Sequence, residues 1–147
     1  MGGKKSECSI FIENPDKKTV MILRIGEGRK QGLWTLPGGI IDKKSEHQKE
    51  AKKLVEKQLK TNIELYPYEK VLDYPNRIKY IFKGRLMEEE PDPIDYYDRV
   101  KYVSYDKLFK SNLEGSIMAD INRLEGDFFQ VYTDFLKFHQ NRDSRKI

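Results

Sequence analysis

Short apolar runs and polar turns divide the first part of the chain. Ser9-Ile10-Phe11-Ile12 and Val20-Met21-Ile22-Leu23-Arg24-Ile25 are rich in β-branched residues, and Asn14-Pro15-Asp16-Lys17-Lys18 between them carries turn chemistry. This predicts a hairpin. Gly26 to Gly32 is polar and glycine-punctuated, an exposed loop that delivers the chain to Trp34. From Ser45 the period changes: Ala51, Leu54, Val55 and Leu59 recur at helical spacing among lysines and glutamates. A helix from about Ser45 to Lys60 follows, with Ser45 as N-cap and Asn62 as a left-handed stop.

Tyr68 to Asp73, Ile78 to Met87 and Arg99 to Ser104 alternate aromatic and β-branched residues as strands do, with Pro75-Asn76 turning the chain between the first two. An acidic, proline-broken loop runs from Glu88 to Asp98. Ser116 to His139 then carries Ile117, Ile121, Leu124, Phe128, Val131, Tyr132, Phe135 and Leu136 at helical spacing. That is a closing helix packed on the sheet, interrupted near Gly126. No repeat, low-complexity tract or linker breaks the order, so the chain reads as one α/β sandwich domain over 1–147. Residues 1–8 form a flexible N-terminus and 140–147 a basic tail.

The 147 residues fit one ordinary domain that buries a core without disulfide or metal staples. With 37% hydrophobic residues that core can be built, and 35% charged residues predict a strongly solvated surface. No stretch approaches the roughly 20 apolar residues needed to cross a bilayer, and no secretory leader is visible. A lone cysteine, Cys8, excludes an internal disulfide and fits a reducing, cytoplasmic setting. The net charge of +4 is spread among interleaved acids, so nucleic acid is not indicated as a partner. The opening Met1-Gly2-Gly3-Lys4-Lys5-Ser6 matches the pattern for myristoylation of Gly2. A single acyl chain holds a membrane weakly, so the lysines or acylation of Cys8 would have to assist a peripheral attachment.

The most informative stretch is Leu33-Trp34-Thr35-Leu36-Pro37-Gly38-Gly39, which leads through a short loop into the Ala51–Leu59 helix. Together with the order of elements, from the first hairpin through "RVKYVSYDKL" (Arg99 to Leu108) to the final helix, it resembles the Nudix hydrolase family over nearly the whole chain. The resemblance implies an α/β/α sandwich with a mixed sheet, a central box helix and a C-terminal helix. The family box is a glycine, five residues, a glutamate, seven residues, then arginine-glutamate-apolar-any-glutamate-glutamate-any-glycine-apolar. Counted from Gly39, the first glutamate falls on Ser45, with Glu46 next to it, and the arginine-glutamate pair on Lys53 and Leu54. Val55 matches the apolar position, the glutamate pair falls on Lys57 and Gln58, and the glycine on Lys60. A second register, which takes Thr61-Asn62-Ile63 as the ending, puts the glutamate pair on Leu59 and Lys60. Both lose it.

The loss bears on chemistry. The resemblance implies hydrolysis of a nucleoside diphosphate linked to another moiety, with magnesium or manganese neutralising the diphosphate and activating water. Hard cations need oxygen ligands, and carboxylates one helical turn apart supply them. Here the equivalent face presents Leu54, which offers nothing, and Gln58, which offers one weak oxygen. Glu46 and Glu50 share a face turned roughly 60 to 100° from Leu54 and Gln58, and with Lys49, Lys53 and Lys57 nearby they read as a solvated ion-pair lattice. The acids Glu88, Glu89, Glu90, Asp92, Asp95 and Asp98 read as a surface loop. His47 and His139 lack metal-ligand companions, and no serine sits in a nucleophile signature.

Two readings follow. In the first, the chain is a metal-free binding module for a phosphorylated or nucleotide-like small molecule, or an interaction subunit for a protein partner. Arg24, Trp34, Gly38, Gly39, Lys53 and Lys57 are then the candidate ligand contacts, the lysines meeting phosphate directly. In the second, it is a magnesium- or manganese-dependent pyrophosphohydrolase with a displaced site drawing on Glu46 and Glu50. The loops Gly26 to Gly32 and Glu88 to Asp98 are where the family places selectivity, and Tyr96-Tyr97 are exposed aromatics able to meet a ligand or a protein.

Overall fold

A computed structural model describes residues 4–14, 19–42, 46–88, 91, 96–108 and 110–124. The strands are β1 (Lys5–Asn14), β2 (Thr19–Ile25), β3 (Trp34–Thr35), β4 (Gly38–Ile41), β5 (Ile63–Asp73), β6 (Arg77–Leu86) and β7 (Tyr97–Ser104). The helices are α1 (His47–Leu59), α2 (Tyr105–Leu108) and α3 (Gly115–Leu124). The main path of the sheet runs β3-β2-β1-β6-β5, with β4 also on β1 and β7 on β2. The β1–β6 pair is parallel and the other pairs are antiparallel, so the sheet is mixed.

Alternation along β1 decides what lies on each side. Cys8, Ile10 and Ile12 join Ala51, Val55 and Leu59 of α1 in one core cluster, while Phe11 joins Ile117, Ile121 and Leu124 of α3 in the other. Both faces of the sheet are therefore covered, giving the expected α/β/α sandwich. Among the described residues no helix is long and apolar enough to cross a membrane.

Several boundaries differ from expectation. The hairpin is present, with Glu13 opposite Val20, but β1 already begins at Lys5. Residues 5–8 are thus sheet rather than a flexible terminus, because eight consecutive residues of β1 pair with β6. Cys8 is fully buried, and burial pushes its thiol up to about 11, so it is not an acylation site in the folded chain. Strand β5 starts at Ile63, five residues before its expected start at Tyr68. The short α2 was not anticipated. Tyr97 is half-buried against the α1-side core and only Tyr96 is exposed, at 40%. Gly2, Ser45, Glu89, Glu90, Asp92, Asp95, Gly126, His139, the later part of the closing helix and the basic tail lie outside the described residues.

Helix α1 is capped by Glu46, without a side-chain hydrogen bond, rather than by Ser45. It ends at Lys60, not Asn62: Lys60 has φ 54° and is the one non-glycine residue with positive φ among those described. A left-handed residue at this position satisfies the last carbonyls of the helix, here through its N–H to the Glu56 carbonyl. A side chain there costs roughly 1 kcal/mol that glycine avoids. Lys60→Gly should therefore raise stability by about 1 kcal/mol, measured as an increased urea midpoint at unchanged slope.

Candidate functional site

Strand β3 ends at Thr35, and after Leu36-Pro37 the chain enters β4 against β1. A Cβ on Gly38 would lie 2.1 Å from the Cys8 carbonyl oxygen, so no other residue fits without moving β1. Gly39 faces α1. A Cβ there would sit 3.2 Å from Leu54 Cδ2 and 3.9 Å from Gln58 Nε2, which identifies the side chains that α1 turns toward this strand. Gln58 is buried and closes its amide on one peptide unit: the Gly38 N–H donates to Oε1 at 3.0 Å, and Nε2 donates to the Gly38 carbonyl at 2.6 Å.

Neither a family model nor any curated protein matches the sequence. The fold matches solved structures closely. A Nudix hydrolase from Nitrosomonas europaea superposes with a TM-score of 0.71 at 15% identity, over 86% of this chain and 73% of that one. A MutT protein from Methanosarcina mazei Go1 gives 0.66 at 16%, over 90% and 94%. An ADP-ribose pyrophosphatase from Streptococcus suis gives 0.57 at 20%, over 78% and 87%. The chain has the Nudix fold.

On the resemblance, Lys60 favours one of the two counts of the box. A box glycine belongs where the helix ends in a left-handed residue, which selects the register counted from Gly39 over the one ending at Asn62. In that count the resemblance puts Leu54 and Gln58 at two of its glutamate positions, and both side chains face Gly38–Gly39. A divalent ion, which the resemblance implies, does not fit this donor set. Leu54 contributes hydrocarbon, and the one oxygen of Gln58 already accepts a hydrogen bond. Among the described residues no group of three or more histidine, cysteine or acidic side chains is placed to hold a metal.

The remaining candidates are dispersed. Glu46 is exposed and lines an open hollow of about 760 Å³ with Lys49, Lys52, Glu56 and Met87, away from the glycines. Glu50 is half-buried, and at four residues' distance it stands only about 40° from Leu54, closer than expected. Lys53 and Lys57 are exposed and line neither this hollow nor the smaller one described below, so they are on the solvent side of α1 rather than toward Gly38–Gly39. Trp34 is buried in the α3-side core. Arg24 lies 5.9 Å and Lys101 4.3 Å from its ring centroid, and Arg24 pairs with Asp98 at 2.7 Å. The hydrogen bond from Arg24 holds Asp98 below the usual carboxylate range. His47 stacks on Tyr80 at 3.9 Å, a packed histidine.

The α3 side holds charges that sequence reasoning missed. Arg77 donates to Glu7 at 3.0 Å and to Asp120 at 2.9 Å, and the Lys79 ammonium is 3.3 Å from Asp120. Tyr74 also donates to Asp120, at 2.6 Å. Next to them, Glu7, Ser9, Gly38, Lys79 and the start of α3 surround a hollow of about 170 Å³. Farther along β1, Glu13 is buried and accepts a hydrogen bond from Tyr105. Burial pushes its carboxyl up to about 7, against the opposing effects of Tyr105 and Lys83.

Two predictions follow. In Gln58→Glu an ionised carboxylate would face the Gly38 carbonyl with no proton to give it. Stability should fall by about 1–3 kcal/mol at pH 8 and by less at pH 4, where a protonated acid donates again; urea titrations at both pH values test this. For Glu13 the folded pKa lies above the ordinary 4.5, so its stabilising protonated form is complete below pH 4.5 and lost as pH rises through 7. The wild type should lose up to about 3 kcal/mol between pH 5 and pH 8, and Glu13→Gln should remove that slope.

Proposed function

We propose that this chain is a Nudix-fold binding module for a phosphorylated, nucleotide-like small molecule, working without the metal chemistry of the box. The observation that carries this reading is the amide of Gln58 closed on the Gly38 peptide beside Leu54. Where a hydrolase needs converging carboxylates, this face has a hydrocarbon and an amide whose donor and acceptor are both engaged. The choice of ligand class is supported by the likeness to an ADP-ribose pyrophosphatase. It is supported too by a polar hollow lying directly across the Gly38–Gly39 strand from the amide.

The active-hydrolase reading retains one point in its favour, the half-buried Glu50 a turn before Leu54. A single experiment separates the two. Purified protein is incubated with a panel of diphosphate-linked nucleotides in magnesium, in manganese and in chelator, and binding of the same compounds is followed by thermal shift. The expected result is no turnover above the chelated control, with a rise in melting temperature for at least one compound that survives chelation. Metal-dependent turnover that disappears in Glu50→Gln or Glu46→Gln would sink the binding-module reading.

A further inference from the structure

The larger hollow, of about 760 Å³, lies where a helix runs beside the end of the sheet. Strand β5 is the last on the main path, and among the described residues it pairs with β6 alone. Its other edge is bordered by the flank of α1 that carries Lys49, Lys52 and Glu56. The result is an open trough with a helix on one side and an unpaired strand edge on the other.

The backbone shows which groups that edge offers. Ile63 turns its N–H away from β6, because it donates to Glu56 Oε2 at 3.0 Å. In an antiparallel pair alternate residues direct their N–H and carbonyl to the same edge, so Leu65 presents both on the trough side while Glu64 faces Arg85 across the ladder. Beyond Leu65 the register shifts before Glu69, and Pro67 within that irregularity has no N–H to give. Usable pairing is thereby confined to the Ile63–Leu65 segment, the part of β5 that lines the trough.

Side chains narrow the occupant. Leu65 is partly exposed and Met87 is 54% exposed, so the floor is apolar and wet. Of the acids on the walls, Glu56 is held by the Ile63 N–H and Glu64 pairs with Arg85 at 3.3 Å. Lys49 and Lys52, one turn apart and exposed, have no carboxylate partner among the described residues, and Glu46 is the one acid left near them. An extended chain laid along β5 places alternate side chains toward α1, where an apolar residue meets Leu65 and Met87 and an acidic one meets the two ammoniums.

We propose that the trough between α1 and the free edge of β5 is a docking site for an extended peptide segment of a partner protein, which adds a short strand at Leu65 and presents an apolar and an acidic side chain toward α1. This inference is independent of the small-molecule reading above.

The test uses the full chain and a short capped peptide in which threonine alternates with valine and glutamate. In the free protein the Leu65 amide should exchange with solvent faster than that of Glu64, and saturating peptide should protect it. Replacing the peptide's glutamate by lysine, or Lys49→Glu with Lys52→Glu in the protein, should weaken binding about fivefold or more. The double variant should keep its melting temperature, since both side chains are exposed and unpaired. Methylating the peptide amides that face β5 should abolish binding. Absence of binding, binding without protection of Leu65, or binding that survives methylation or charge reversal would each overturn the proposal. So would a free protein that sediments as a dimer with Leu65 already protected, which would assign the edge to a second copy of the chain.

Discussion

The structure turns on the lack of room beside Gly38. Strand β4 lies so close to β1 that a single Cβ would overlap the Cys8 carbonyl, and this closeness fixes the turn after Pro37. It also fixes what α1 can offer, because the helix packs on Gly39 through Leu54 and Gln58. In a helix that presented carboxylates here, charge would have to be neutralised by a cation. This chain makes the same contact with a neutral amide, whose nitrogen donates to the Gly38 carbonyl and whose oxygen accepts from the Gly38 N–H. No ion is required for the strand and helix to sit together.

A second consequence concerns the far side of the sheet. With α1 on one face and α3 on the other, charged residues at alternate positions of β6 cannot reach bulk water. Lys79 and Lys83 are 4% and 1% exposed; Lys79 lies against Asp120 and Glu7, and Lys83 lies over the Tyr68 ring. Breaking one member of such a set leaves a buried charge uncompensated, so these clusters specify how α2 and α3 dock more than they add net stability.

Much of the fold was legible because period and punctuation agree. Val20 to Ile25 and Ala51 to Leu59 have the spacing of a buried strand and an amphipathic helix, and Pro37-Gly38-Gly39 marks the join between the paired strands and the helix. The charged interior was not legible, since Arg77, Lys79 and Lys83 alternating with Ile78, Tyr80 and Phe82 look like a solvated strand face. The signal was present elsewhere: a closing helix with Ile117, Ile121 and Leu124 on one side must lie on that face. Boundaries failed where an end is set by packing rather than by residue preference. Lys60, which favours no left-handed turn, takes one because Ile63 must enter β5 with its N–H on the Glu56 carboxylate.

The same distinction between fold and site governs how function can be read. Similarity at 15% identity and a TM-score of 0.71 shows that the backbone path is shared, and the path alone carries no reaction. The two faces of the glycine strand differ in how their polar groups are satisfied. On the α1 face, the amide of Gln58 is closed on the Gly38 peptide through both its oxygen and its nitrogen. On the α3 face, the Ser9 hydroxyl is left open toward a hollow bordered by an ammonium and two carboxylates. A ligand gains free energy where polar groups await partners, and gains little where they already have them. The unpaired hydroxyl of Ser9 and the closed amide of Gln58 thus lie on opposite sides of the same glycine strand.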